Sequence, residues 1–475
     1  MNSSRPGRLL TAAMLGVASG SVLVPLNSTM LAVALPGIMD EFHLGASAVA
    51  SLVTLYLGAV AVALPVSGSL GDRFGHRHMF LLGVAVFALA SAVAVGATSF
   101  GLLQAARVLQ AVSGAFVSTS SAALIREFAP PARRGEAFGL FDLLVSTSAA
   151  AGPFIGGVLV GLFGWRSLFV VAVPVAVIAL ASVGLRRSPA PEPEAVAIAE
   201  PPERATGSPP ARPRPPLDLL GLALLAAIIG AFLIAIRGGE GAIPIIAAVA
   251  IIPLGVVFTR YELRIDHPAV DPRLFGHRPF AAAVAGVFGS TIVLHASFIL
   301  IPLLVERILS GSATTSGLVL LGISGVAAFV APLGGRASDR RGRRALVVAG
   351  SLVMAVGLAG LWTPVGGSSF VAIALLLGVV GLGMGMSGSA RQAAAFEVIR
   401  PERVGMAAGT YYTGRYLGGV VGASLAGALL ASSVTSASVS LGFGVLVLVS
   451  LAVAVASLGL PGRRSPEPTP AGPRT

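Results

Sequence analysis

Fourteen stretches of about 20 apolar residues follow one another along the chain, each long enough to cross roughly 30 Å of hydrocarbon at 1.5 Å per helical residue. By number they are about 10–38, 46–70, 79–97, 101–125, 136–163 and 167–185, a central pair at 217–236 and 242–259, then 280–305, 314–333, 345–363, 369–390, 404–431 and 438–460. Hydrophobic residues make up 55% of the chain and charged ones 11%, and the mean hydropathy is +0.89, far from the range of a water-soluble globule. The chain therefore reads as an all-α integral membrane protein.

All 32 basic residues are arginine, and their placement orients the spans. With both termini cytoplasmic, 27 fall in cytoplasmic segments, three outside (Arg166, Arg237, Arg307) and two within helices (Arg107, Arg415). The excess of positive charge follows the inner side. Omitting one span would invert every later loop and carry the cluster at 336–344 outside, so the number of spans is even. The basic pI of about 11.4 is thus topology and not a nucleic-acid surface. The absence of cysteine excludes disulfides and thiolate chemistry. With no metal-ligand cluster, no serine/histidine constellation and no P-loop, neither an enzyme, a metal site, a cofactor nor an ATP-driven pump is expected.

The organisation is expected to be a six-helix bundle over 1–185, a linker over 186–216, an extra helix pair over 217–260, a second six-helix bundle over 261–460 and a disordered tail over 461–475. The linker holds ten prolines in 31 residues, a composition that packs no core. The two bundles read as pseudo-symmetric copies, because one polar hinge occurs twice. Gly68-Ser-Leu-Gly-Asp-Arg-Phe-Gly-His-Arg77 lies between the second and third spans, and Gly334-Gly-Arg-Ala-Ser-Asp-Arg-Arg-Gly-Arg-Arg344 between the tenth and eleventh. Glycines Gly68, Gly71 and Gly75 permit a tight turn, Asp72 can cap a helix or pair with arginine, and Arg73 and Arg77 hold the loop at the anionic inner leaflet. Asp339 and Arg340 stand in the second copy.

The first hinge resembles the signature loop of the major facilitator superfamily, and further motifs resemble its fourteen-helix drug:proton antiporter branch. Leu26-Asn-Ser-Thr-Met-Leu-Ala-Val-Ala-Leu-Pro-Gly-Ile38 is similar to the first-helix motif, with Asn27 where that branch often has aspartate. Asparagine takes up no proton, so Asn27 reads either as a substrate contact or as an interhelical hydrogen bond. Arg107 and Gln110 match the fourth-helix motif on one helix face. Arg107 either faces the cavity, where it would influence a carboxylate, or pairs with backbone carbonyls. Gly152-Pro-Phe-Ile-Gly-Gly157 resembles the antiporter motif, with Gly152, Gly156 and Gly157 allowing close helix approach and Pro153 weakening the helix. Arg415, in a thirteenth-helix stretch beside Tyr411 and Tyr412, reads as buried against protein. The loop from Glu262 to Phe275, with Asp218 and Gly221, argues for the fourteen-helix branch.

For proton coupling the candidates are Asp142, inside the fifth span, and His295, near the middle of the ninth. Each has a plainer reading, as an interface charge and as a hydrogen-bonded interior histidine; Glu306 with Arg307 reads as interfacial. The resemblance implies a monomeric secondary exporter in the inner (plasma) membrane, surrounded by lipid. It would move small, often apolar or cationic compounds against protons. A dedicated exporter of one metabolite and a uniporter or sodium-coupled carrier are the alternatives.

Overall fold

In a computed structural model the structure describes residues 6–128, 134–184, 218–236, 242–265, 268, 270–363, 369–399 and 404–462. Among them only helices and connecting turns occur. The helices are α1 (Pro6–Met30), a 3-10 turn over Leu31–Ala34, α2 (Leu35–Phe42), α3 (Ala46–Phe74), α4 (His76–Val95), α5 (Phe100–Phe128) and α6 (Arg134–Phe163). Then come α7 (Ser167–Val170), α8 (Ala172–Gly184), α9 (Leu219–Ile236), α10 (Ala242–Glu262) and α11 (Arg278–Leu303), which continues as a π-helical turn over Leu304–Ile308. The last are α12 (Ala313–Arg341), α13 (Arg343–Trp362), α14 (Phe370–Glu397), α15 (Val404–Leu429) and α16 (Ser436–Ala456). Every apolar run lies on helix, α1 with α2 and α7 with α8 each forming one rod. Eleven of the described helical segments are long and apolar enough to cross a membrane, and Ser167–Val183 and Leu219–Phe232 are shorter apolar helices. The linker at 186–216 lies outside the described residues.

The duplicated hinge is repeated in backbone conformation. Gly75 ends α3 and opens α4 at φ 89°, and Gly342 does the same between α12 and α13 at φ 89°. That region is strained for any residue with a Cβ. Each hinge is then fastened to the end of its own half: Arg77 Nη2 donates to the Val183 carbonyl (3.1 Å) and Arg344 Nε to the Leu460 carbonyl (2.7 Å). Asp72 reaches the His76 ring one turn on (3.2 Å). Asp339 and Arg340 stand at the end of α12, with side chains outside the described residues. Gly75→Ala and Gly342→Ala are each expected to lower stability by about 1–2 kcal/mol. Gly68→Ala, at a helical position with open space around it, should be neutral or slightly stabilising. Thermal unfolding of the purified variants checks this.

The apolar cores divide unequally between the two ends of the bundle. At the end away from the hinges one continuous cluster joins the halves, running from Leu31–Ile38 and Ala46–Leu52 to Ile292–Val305, Val319–Ile323 and Ala423–Leu430. At the hinge end there are two clusters. One holds Val17, Phe80, Phe87, Leu124 and Ala176 of the first half, and the other Phe280, Val287, Leu346, Ala394 and Tyr411 of the second. A smaller cluster of Tyr56, Leu57, Val60 and Ala111 with Val420 also crosses the halves between α3 and α15. Burial of apolar surface therefore fuses the halves from the far end to the level of that cluster, while the two hinge-end clusters each stay within their own half. The extra pair packs on both halves: Leu225 and Ile229 of α9 lie against Ala61 of α3 and Tyr416 and Leu417 of α15.

Candidate functional site

The glycine motif of α6 forms one seam between the halves. A Cβ on Gly157 would lie 2.6 Å from the Ala313 carbonyl oxygen and 3.0 Å from Gly317 Cα of α12, while one on Gly156 would lie 3.0 Å from Met30 of α1. Because these positions are bare, backbones meet directly and polar groups cross. Thr314 Oγ1 donates to the Gly157 carbonyl (3.1 Å), and Ser324 Oγ to that of Ala150 (2.8 Å). Gly152 faces Thr29 of α1, and Pro153 lies inside an uninterrupted α6 with its carbonyl against Gly317.

Beside this seam Asn27, Arg107 and Gln110 form one buried network. Arg107 is 1% exposed, and its Nη1 donates to Asn27 Oδ1 (2.5 Å) and Gln110 Oε1 (2.8 Å). Gln110 Nε2 in turn donates to Ser91 Oγ (2.8 Å), and Asn27 Nδ2 points to the Leu168 carbonyl (3.5 Å). The guanidinium lies 4.2 Å from the Tyr56 ring centroid, a cation–π placement. Asn27 thus occupies the place of a counter-ion without supplying charge. Arg107 Nε and the Tyr56 hydroxyl have no hydrogen-bond partner.

Arg415 stands opposite, near the middle of α15. That helix presents Gly414, Gly418 and Gly422 to Val284, Phe288 and Ile292 of α11, and Tyr416 and Val420 to Tyr56 and Val60 of α3. Arg415 falls between these faces, on the side of Gly419, whose Cβ position meets both Leu57 of α3 and His295 of α11. The expectation that Arg415 is buried is corrected: its side chain is exposed. His295 Nδ1 donates to the Thr291 carbonyl (3.0 Å), which fixes its tautomer. Tyr411 and Tyr412 stack edge to face at 5.8 Å, and Gln392 Nε2 donates to the Tyr412 hydroxyl (3.1 Å).

Arg391 was missed in the sequence, where it counts as a loop charge just beyond an apolar run. α14 continues to Glu397 through Ala393-Ala-Ala, and Arg391 is 2% exposed within it, donating to Ser290 Oγ of α11 (2.8 Å). Three arginines, not two, therefore lie inside helices at depth. The strong helix formers after Arg391 were the available signal. Asp142 stands nine residues into α6, with its side chain outside the described residues.

At the far end, the π-helical turn carries Glu306 and Arg307. Glu306 accepts from Ser316 Oγ (2.8 Å), and Arg307 crosses to the other half, donating to the Pro36 carbonyl (2.9 Å) and Asp40 (2.5 Å). Next to it Glu41 accepts from Trp165 Nε1 (2.7 Å) and binds Arg166 through both carboxylate oxygens, which raises the Arg166 pKa further. The exposed ion pair of Arg307 contributes little, and its bond to the Pro36 carbonyl about 1 kcal/mol. Arg307→Ala is expected to raise the opening of this end about fivefold. Labelling of a cysteine placed at buried Leu35 would show it.

The family model described as Major Facilitator Superfamily matches residues 17–294 and 280–475. The tetracenomycin C resistance and export protein of Streptomyces glaucescens is 30% identical over 426 residues, 89% of this chain and 76% of that protein. A multidrug resistance protein B homolog of Mycobacterium tuberculosis is 29% identical, over 89% of this chain and 76% of its own length. Among solved structures, an inward-facing bacterial homologue of the human lysosomal transporter Spinster superposes with a TM-score of 0.69 at 15% identity, covering 98% of this chain and all of that one.

Proposed function

Since the chain belongs to the major facilitator superfamily, we propose that it is a fourteen-span secondary exporter of small drug-like compounds, working by alternating access in exchange for protons. The observation that carries this reading is the uneven core: one apolar cluster closes the halves at the far end, and two separate ones leave the hinge end free to part. On this reading a central space faces the hinge side, and exposed Arg415, one turn from the contact of Gly419 with His295, would border it. With the arginine-rich loops cytoplasmic, that side is the cell interior and the membrane is the plasma membrane.

The relatives that confer multidrug resistance support a broad substrate range. The tetracenomycin C exporter supports a second reading, a carrier dedicated to one natural product. Asn27 carries no exchangeable proton and is bound to Arg107, so in this reading Asp142 and His295 are the proposed sites of proton uptake; an uncoupled or sodium-coupled carrier is what remains if neither serves. The test is dye accumulation by proteoliposomes under an imposed pH gradient, with Asp142→Asn and His295→Ala. Gradient-driven uptake of several dyes, lost in one of these variants, bears the proposal out. Uptake indifferent to the gradient refutes proton exchange, and uptake of one compound alone favours the dedicated carrier.

A further inference from the structure

Resting on that reading, we infer that the transported compound is an anion or a weakly acidic, acceptor-rich aromatic, neutralised at Arg415. Three arginines stand well inside helices and face no acid among the described residues. Arg107, Arg391 and Arg415 lie on α5, α14 and α15, and none pairs with a carboxylate. The acids on the helices stand at or near their ends, among them Asp142 near the hinge end of α6, Glu262 at the last residue of α10, and Glu306 in the turn that continues α11, held by Ser316.

Arg107 Nε, both Nε and Nη2 of Arg391, and the Tyr56 hydroxyl are buried and lack partners. Their residues are 1%, 2% and 2% exposed. These atoms are enclosed, so a guest meets the two guanidinium groups through their charge alone, and that charge favours an anion. Tyr416, next to Arg415, packs on the cluster of Tyr56, and the Cβ position of Gly419, one turn on from Arg415, meets His295 and Leu57, so Arg415 stands where the two halves meet. Arg415 supplies the contact, while Arg107 behind Tyr56 and Arg391 beside Tyr411 supply the field. A cationic guest would meet three like charges. Exchange of an anion for a proton also moves charge on both legs in the direction that an inside-negative potential drives.

The test compares fluorescein, an anionic xanthene, with rhodamine 6G, a cationic one. Binding to the full-length purified chain is read by fluorescence anisotropy, and uptake by proteoliposomes is measured alongside. Fluorescein is expected to bind at least about tenfold more tightly, the preference to vanish in Arg415→Gln and to survive in Arg415→Lys. Both variants are checked for monodispersity and unfolding temperature. Equal or tighter binding of rhodamine 6G, binding of neither dye, or an equal loss of both in Arg415→Gln overturns the inference. Preferential binding of fluorescein without uptake of either dye refutes the exporter reading and leaves the charge preference intact. Uptake of rhodamine 6G alone does the reverse.

Discussion

Gly157→Leu is expected to abolish transport and to lower stability by about 3–5 kcal/mol, the largest loss for any single substitution in the seam. The atoms it would strike are backbone: the Ala313 carbonyl oxygen at 2.6 Å and Gly317 Cα at 3.0 Å from the first added carbon. Neither can rotate away as a side-chain tip would, so α6 and α12 must separate. Separation breaks the bonds from Thr314 to the Gly157 carbonyl and from Ser324 to that of Ala150, each worth about 1 kcal/mol. Overpacking adds about 1–3 kcal/mol. Gly230→Leu, where a Cβ meets open space, is the control and should change stability little. Unfolding temperature and initial uptake rate, measured together, decide it. A Gly157→Leu variant as stable as wild type would show that the helices do not meet there.

Arg107→Met is expected to cost about 2–5 kcal/mol, because it leaves Asn27 Oδ1 and Gln110 Oε1 buried without donors. Asn27→Asp goes the other way. It keeps the shape, places a carboxylate where Nη1 already approaches to 2.5 Å, and balances a buried charge, so stability should be held or raised. It also installs a group able to exchange a proton with Arg107 as its partner. Chemical denaturation of the two variants beside wild type gives the comparison. If Arg107→Met is unchanged, or Asn27→Asp is the more damaging of the two, the network does not hold this part of the first half.

Hydropathy and the two hinges made the helical rods and the internal duplication legible, since an apolar run in lipid has few alternatives to a helix and a glycine at positive φ leaves a recurring turn. The pairing of Arg107 with Gln110 followed from their spacing on one face. What escaped was set by packing between distant segments. Arg391 reads as a loop charge until Ser290 and Gly286 of α11 are seen to enclose it. Arg415 reads as buried because it flanks a small-residue seam, yet Gly414, Gly418 and Gly422 take the contact and the arginine beside them is left exposed. The bond from Arg307 to Pro36 and Asp40 joins residues far apart in the chain, and no local pattern announces it.

Alternating access is tested most directly by distances between spin labels across the two ends of the bundle. The sequence contains no cysteine, so introduced pairs report without background. One pair, at Arg73 and Arg336, spans the halves at the hinge end; the other, at Thr98 and Ser432, spans them at the far end. In vesicles the far-end distance is expected to lengthen as the hinge-end distance shortens when the outside is acidified, and to reverse when the gradient collapses. Distances that stay fixed, or that lengthen together at both ends, would contradict a carrier that rocks about a central site.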